Sequence, residues 1–179
     1  MKRHIILVGP PGCGKTTVIR RTVDRLRDAR APVFGFWTAE IRDQGIRRGF
    51  QIETLLGVRS VMAHVDFKAG PKVSKYGVNV EAVNGVAVAE IDRARREGER
   101  AAILVMDEIG KMELMSPAFR AAVASAIESP LRILATAMSK AHPFVDGLKR
   151  RPDVEVVAVS TANRDSLPEV LAGELAPQR

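Results

Sequence analysis

Nine consecutive residues near the start of the chain, Gly9-Pro10-Pro11-Gly12-Cys13-Gly14-Lys15-Thr16-Thr17, match G-x-x-x-x-G-K-[ST]. Residue types at this spacing hold polyphosphates. Gly9, Gly12 and Gly14 have no β-carbon, so backbone N–H groups can turn inward to phosphate oxygens, and a following helix presents its positive end to the same anion. Lys15 is placed to reach the β- and γ-phosphates, and the Thr16 hydroxyl to sit on Mg²⁺. A second stretch, Ala101-Ala102-Ile103-Leu104-Val105-Met106-Asp107-Glu108, is an apolar run that ends in adjacent carboxylates. Asp107 is expected at the carboxyl end of a strand, holding the magnesium through water. Glu108 is placed to polarise a water for in-line attack on the γ-phosphorus, which favours hydrolysis over transfer. The competing use of Glu108 is to charge the start of a following helix.

The elements that must position these groups are legible around them. Ile5-Ile6-Leu7-Val8 is the short apolar run of a buried parallel strand and enters the loop directly. Beyond the loop, Val18, Ile19, Thr22, Val23 and Leu26 share one helical face, and Pro32 lies just past the end. A chance match to the loop pattern in a chain of this length has a probability on the order of 1%, and the strand, loop, helix order lowers it further. Strands are expected at His4–Val8, Val33–Thr38, Ala102–Met106, Leu131–Thr136 and Val154–Ser160, and helices at Lys15–Ala29, Val80–Glu97, Pro117–Glu128, Pro143–Lys149 and Leu167–Glu174. This alternation predicts a three-layer α/β fold of the phosphate-loop NTPase type, with a mainly parallel sheet covered by helices on both faces. Phe50–Leu56 and Val58–His64, with a turn near Gly57, read as an added antiparallel hairpin. Glu40 to Phe50 reads as a loop leaving the carboxyl end of the second strand, with Gly45 and Gly49 as flexible points. Closed over the γ-phosphate, it would let Arg42 or Arg48 offset transition-state charge while Glu40 orients one of them or the water. An exposed ion-pair loop is the alternative.

Asp107-Glu108-Ile109-Gly110-Lys111-Met112-Glu113-Leu114, the loop Gly9 to Thr17 and the segment Thr38 to Phe50 together resemble the nucleoside-triphosphatase family first described in thermophiles, which includes the human cancer-related nucleoside triphosphatase. The likeness extends to Arg151-Pro152-Asp153-Val154 and Asn163-Arg164-Asp165 and so covers nearly the whole chain. The resemblance implies hydrolysis of ATP, GTP and other nucleoside triphosphates to diphosphate and phosphate with little base discrimination. It also implies nucleotide contacts from Gly9 to Thr16 and from Leu104 to Lys111 (Leu104, Val105, Met106, Asp107, Glu108, Ile109, Gly110, Lys111). Glu40, Arg42, Arg48, Gly49 and Phe50 match its Glu-x-Arg and Arg-x-Gly-Phe elements, and Lys140 stands where relatives have a basic residue.

Other candidates have two uses each. Thr136 either bonds the γ-phosphate or the water, or simply finishes a strand. Asn163 and Arg164 follow the last strand, where they would stack on or edge-bond the base, unless Asp165 or Ser166 uses that turn to cap a helix. Lys140, Lys149 and Arg150 read as solvated side chains with a lid contact as the alternative. Cys13, the one cysteine, reads as a small residue filling a tight turn rather than a redox centre. His4, His64 and His142 lack metal-ligand spacing, and Trp37 and Tyr76 read as core.

Composition bounds the rest. At 179 residues and 46% apolar content, the chain reads as one globular domain over residues 1–179. The N-terminal apolar run is too short for a signal peptide, no run reaches membrane-spanning length, and a single cysteine excludes an internal disulfide, so the expected setting is the cytoplasm without a membrane partner. The net charge of +7 raises nucleic acid as a partner. Against that, Arg20, Arg21, Arg25, Arg27 and Arg30, and Arg93, Arg95, Arg96 and Arg100, are interspersed with acidic and apolar residues as on solvated helix faces, and aromatic residues are only 4%. The leading function is magnesium-dependent hydrolysis of nucleoside triphosphates. A nucleotide or small-molecule kinase is the alternative, and a nucleic-acid-associated nucleotide switch a third.

Overall fold

Alternating apolar residues that point to opposite faces of successive strands demand cover on both sides, and the computed structural model supplies it. Residues 3–98 and 102–176 are described; Arg100 and the last three residues lie outside them. The element order is β1 (His4–Val8), α1 (Lys15–Asp28), β2 (Val33–Asp43), β3 (Ile46–Thr54), β4 (Arg59–His64), β5 (Lys72–Val73), β6 (Tyr76–Val78), α2 (Val80–Ala82), a π-helical stretch Val83–Val88, α3 (Ala89–Glu97), β7 (Ile103–Ile109), a 3₁₀ turn Glu113–Met115, α4 (Pro117–Glu128), β8 (Arg132–Ala137), α5 (Pro143–Lys149), β9 (Val154–Ala158) and α6 (Leu167–Leu175). One nine-stranded sheet has the order β5-β6-β4-β3-β2-β7-β8-β1-β9. The run from β2 to β9 is parallel, and β3, β4, β6 and β5 continue it antiparallel.

Each parallel strand splits its side chains between two cores. Ile5 and Leu7 of β1 and Ile103 and Val105 of β7 pack with Val18, Ile19, Val23 and Leu26 of α1 and with Leu171 and Leu175 of α6. Ile6, Leu104 and Met106 point the other way, into a layer with Ile91 of α3, Phe119 and Val123 of α4, and Val145 and Leu148 of α5. The helical face read from the sequence, Val18 to Leu26, is fully buried. α4 starts where it does because the Ser116 hydroxyl accepts the Phe119 N–H at 3.0 Å and Pro117 follows at the first helical position. That same hydroxyl donates to Asn84 Oδ1 at 2.6 Å, tying α4 to the π-helical stretch that interrupts the helix expected over 80–97.

Two expectations are corrected. β7 does not stop at Met106 but runs through Asp107 and Glu108 to Ile109, with its register against β8 shifting after Met106. The segment Glu40 to Phe50 is not a loop. It forms the ends of β2 and β3, joined by a tight turn with Gln44 and Gly45 at φ of 46° and 79°, the left-handed pair of a two-residue hairpin. Gly49 is not a flexible point either: it is buried in β3, where a β-carbon would lie 2.3 Å from the Ala63 carbonyl oxygen. Alternation in this segment is masked by its arginines, so pairing partners rather than periodicity set its conformation. The hairpin of β3 and β4 is as read, closing through Gly57 at φ 88°. β5 and β6, two and three residues long, carried no periodic signal.

Leu104 is fully buried at the centre of the parallel sheet. Leu104→Ala is expected to destabilise the protein by about 3 kcal/mol, read from urea unfolding, through lost transfer energy and a residual cavity.

Candidate active site

β1, β7 and β8 end side by side, and the chemistry-bearing residues leave from those ends. α1 begins at Gly14, whose φ of 110° only glycine adopts readily, and its start has no side-chain cap and no acidic residue in the first turn. The first N–H groups of α1 are therefore left without side-chain partners and can meet an anion, in contrast to the capped α4. The Lys15 ammonium donates to the carbonyls of Gly9 at 2.9 Å and Pro10 at 3.3 Å, folding back over the loop Gly9 to Thr17. Ser139, just after β8, donates its hydroxyl to the Gly9 carbonyl at 2.9 Å and fastens the loop from outside. Cys13 is buried against the α1 core, in keeping with a packing role.

Asp107 is the buried charge of the site, 2% exposed. Its Oδ1 accepts the Thr136 hydroxyl at 2.6 Å, so Thr136 is turned to the carboxylate rather than toward a phosphate. Its Oδ2 is buried with no hydrogen-bond partner among the described residues. Burial pushes the Asp107 carboxyl up, opposed by Thr136, Thr16, Arg20 and Lys15. An unpartnered carboxylate oxygen beside Thr16, at the foot of the phosphate loop, suits a hard divalent cation. Glu108, joined to it by a cis peptide, is also shifted upward, chiefly by burial and against the pull of Lys15. Gly9, Pro11, Lys15, Glu108, Lys111, Met138, Ser139 and Lys140 enclose a cavity of about 430 Å³. A larger one, about 580 Å³, lies between the β4–β5 connection and the start of α2 and holds none of the phosphate-loop residues.

The remaining predicted residues distribute unevenly. Leu104, Val105, Met106 and Ile109 are buried in the two cores and anchor the strand that carries Asp107 and Glu108. Gly110 is buried as well, whereas Lys111 opens onto the cavity. β2 pairs with β7 as far as Trp37 opposite Asp107, so Glu40 lies three residues, roughly 10 Å, further along the strand. There Glu40 accepts from Arg42 at 2.8 Å and Arg47 at 2.7 Å, and Arg47 holds its carboxyl below the usual range. Arg48 pairs with Asp66 at 3.3 Å. The Asn163 amide bonds within its own turn, accepting from the Ser160 N–H and donating to the Ala158 carbonyl, each at 2.8 Å. Arg164 does lie over the loop, its Cδ 3.1 Å from where a Gly14 β-carbon would be. Lys149 donates to the Met138 carbonyl at 3.0 Å.

Two groups escaped the sequence reading. Arg20 is exposed on α1, as its helical face predicts, but it also lies over Trp37 at 4.8 Å and bears on Asp107. Its signal was its place one turn after Thr16, on the same face of α1. Glu113 is 4% exposed, and burial pushes its carboxyl up to about 8. No periodicity announces it, because a 3₁₀ turn carries it inward.

A strand, phosphate loop and uncapped helix beside a buried carboxylate define a phosphate-loop NTPase. A family model described as NTPase matches residues 4–172, and the chain belongs to that family. It is 45% identical to nucleoside-triphosphatase THEP1 of Natranaerobius thermophilus over 177 residues, 98% of this chain and 97% of that one. It is 35% identical to the cancer-related nucleoside-triphosphatase homolog of Mus musculus over 183 residues, 96% of each. The crystal structure of THEP1 from the hyperthermophile Aquifex aeolicus matches with a TM-score of 0.88 at 35% identity, covering 97% of this chain and 99% of that one. The solution structure of a human cancer-related nucleoside triphosphatase matches at 0.84 and 34% identity, covering 99% and 100%.

Glu113 makes the fold pH-sensitive in a defined direction. Its raised carboxyl keeps a proton that the unfolded chain releases above about pH 4.5, so its stabilising contribution is full below that point and is lost as pH rises through about 8. The melting temperature of Glu113→Gln relative to the parent is expected to rise from pH 5 to pH 8.

Proposed function

We propose that this chain is a magnesium-dependent nucleoside triphosphatase that converts ATP, GTP and other nucleoside triphosphates to diphosphate and phosphate. The observation that carries the reading is Asp107, with one oxygen bonded to Thr136 and the other unpartnered beside Thr16, next to a second carboxylate that opens onto the phosphate-loop cavity. Thr16 and Asp107 would hold Mg²⁺, which when bound neutralises charge on the β- and γ-phosphates. The N–H groups from Gly9 to Thr17 cradle the phosphates, and Lys15 exchanges its loop carbonyls for phosphate oxygens.

Glu108 accepts the proton of the attacking water. Its raised proton affinity suits a base that must be charged at neutral pH yet able to bind a proton in the transition state. Arg42 or Arg48 offsets developing charge while Glu40 orients one of them or the water; for this Arg42 would give up Glu40 and the Gly45 carbonyl, and Arg48 would give up Asp66. Little base discrimination is supported by Asn163, whose amide is engaged in its turn, leaving Arg164 to lie against the base by stacking rather than by edge recognition. Residues 1–179 act as one such domain, and a reducing cytoplasm suits the lone buried Cys13. Among the described residues, no helix is long and apolar enough to cross a membrane.

Incubation with MgATP and candidate acceptors should release free phosphate without phosphorylated acceptor. Glu108→Gln is expected to bind nucleotide within about threefold of the parent while losing roughly 10²- to 10⁴-fold in turnover. Lys15→Ala should weaken triphosphate binding by about tenfold or more, read by titration calorimetry. Because burial raises the Glu108 carboxyl, the acid limb of kcat should sit above that of an ordinary glutamate. Normal turnover by Glu108→Gln would refute the assignment of the base.

A further inference from the structure

We propose that Glu113 is a positioning residue for the hydrolytic reaction, holding Glu108 at the edge of the cavity by bonding the turn behind it; the proposal rests on the reading of Glu108 as base. Glu113 Oε2 accepts the buried Gly110 N–H at 3.2 Å, across the turn that follows β7. The Leu114 N–H donates to the Gly110 carbonyl at 3.0 Å, so both polar groups of Gly110 are tied to the 3₁₀ turn. The two glutamates also meet at this residue. A β-carbon on Gly110 would lie 2.9 Å from Glu113 Oε2 and 3.3 Å from Glu108 Oε1. The absent side chain is what lets one carboxyl approach from the enclosed side and the other from the cavity side.

The electrostatics agree with that geometry. The charged groups that bear on Glu113 are Glu108 and Asp107, and both oppose its ionisation; its favourable partners are the backbone N–H groups of Gly110 and of Glu113 itself. A neutral Glu113 can support the turn without repelling the carboxylate that must take the proton from water. Once ionised, it would place a second enclosed negative charge behind Glu108 and weaken the hold on it. A glutamine keeps an acceptor for the Gly110 N–H and removes the ionisation; an alanine removes both.

Glu113→Ala is expected to lower kcat by about 10- to 100-fold with KM within twofold of the parent, because the triphosphate contacts are untouched. Glu113→Gln should restore kcat to within about threefold and lack the decline in rate expected of the parent above about pH 8. Since Glu113 acts through Glu108, the double variant Glu108→Gln, Glu113→Ala should turn over no more slowly than Glu108→Gln alone. Phosphate release by the parent tests the hydrolytic reading by itself, and the ratios among variants test Glu113. Unchanged kcat in Glu113→Ala, multiplying losses in the double variant, or failure of Glu113→Gln to restore kcat would each overturn the proposal.

Discussion

A carboxylate kept out of water between a helix start and two strands is the constraint around which this molecule is arranged. Asp107 has one oxygen bonded to Thr136 and the other without a partner among the described residues. Leaving such an oxygen buried is unfavourable unless something compensates. The surrounding groups compensate only in part: Thr136, Thr16, Arg20 and Lys15 all favour the charged form, and burial still outweighs them. Much else in the fold serves this arrangement. β8 lies between β7 and β1, which brings Thr136 to Asp107, and α1 starts without a cap, which brings Thr16 and Lys15 to the same place.

The second layer of the design is a graded set of acids. Asp107, Glu108 and Glu113 follow one another along β7 and the turn after it, and burial raises all three. Each has a different neighbour: Thr136 for Asp107, Lys15 for Glu108, and a backbone N–H for Glu113. Three carboxyls in one enclosed region cannot all be charged without mutual repulsion. Lys15 bears on Asp107 and Glu108, Arg20 bears on Asp107, and Lys111 and Lys140 line the same cavity as Lys15 and Glu108.

The hairpin of β2 and β3 shows where reading by pattern failed. Its arginines and glycines look like a mobile loop, yet Gly49 is buried against the Ala63 carbonyl, and Glu40, Arg42 and Arg47 form a salt-bridged cluster on paired strands. Arg47 also lies over the rings of Phe50 and Tyr76, an anchor that depends on β6, far along the chain. Asn163 shows a related limit of reading by pattern: its side chain bonds backbone within five residues, a use that composition does not announce.

The sequence by itself determined the phosphate loop, the strand and helix flanking it, the acidic pair at Asp107 and Glu108, and the alternation that makes a covered parallel sheet, because local spacing and periodicity encode those features directly. Tertiary structure alone decided which oxygen of Asp107 is left without a partner, that Thr136 faces it, that Arg20 joins the site and that Glu113 is enclosed behind Glu108. Those outcomes depend on strand order and on side chains brought together from distant positions, and burial, the largest influence on all three acids, exists only once the sheet and its helices have closed around them.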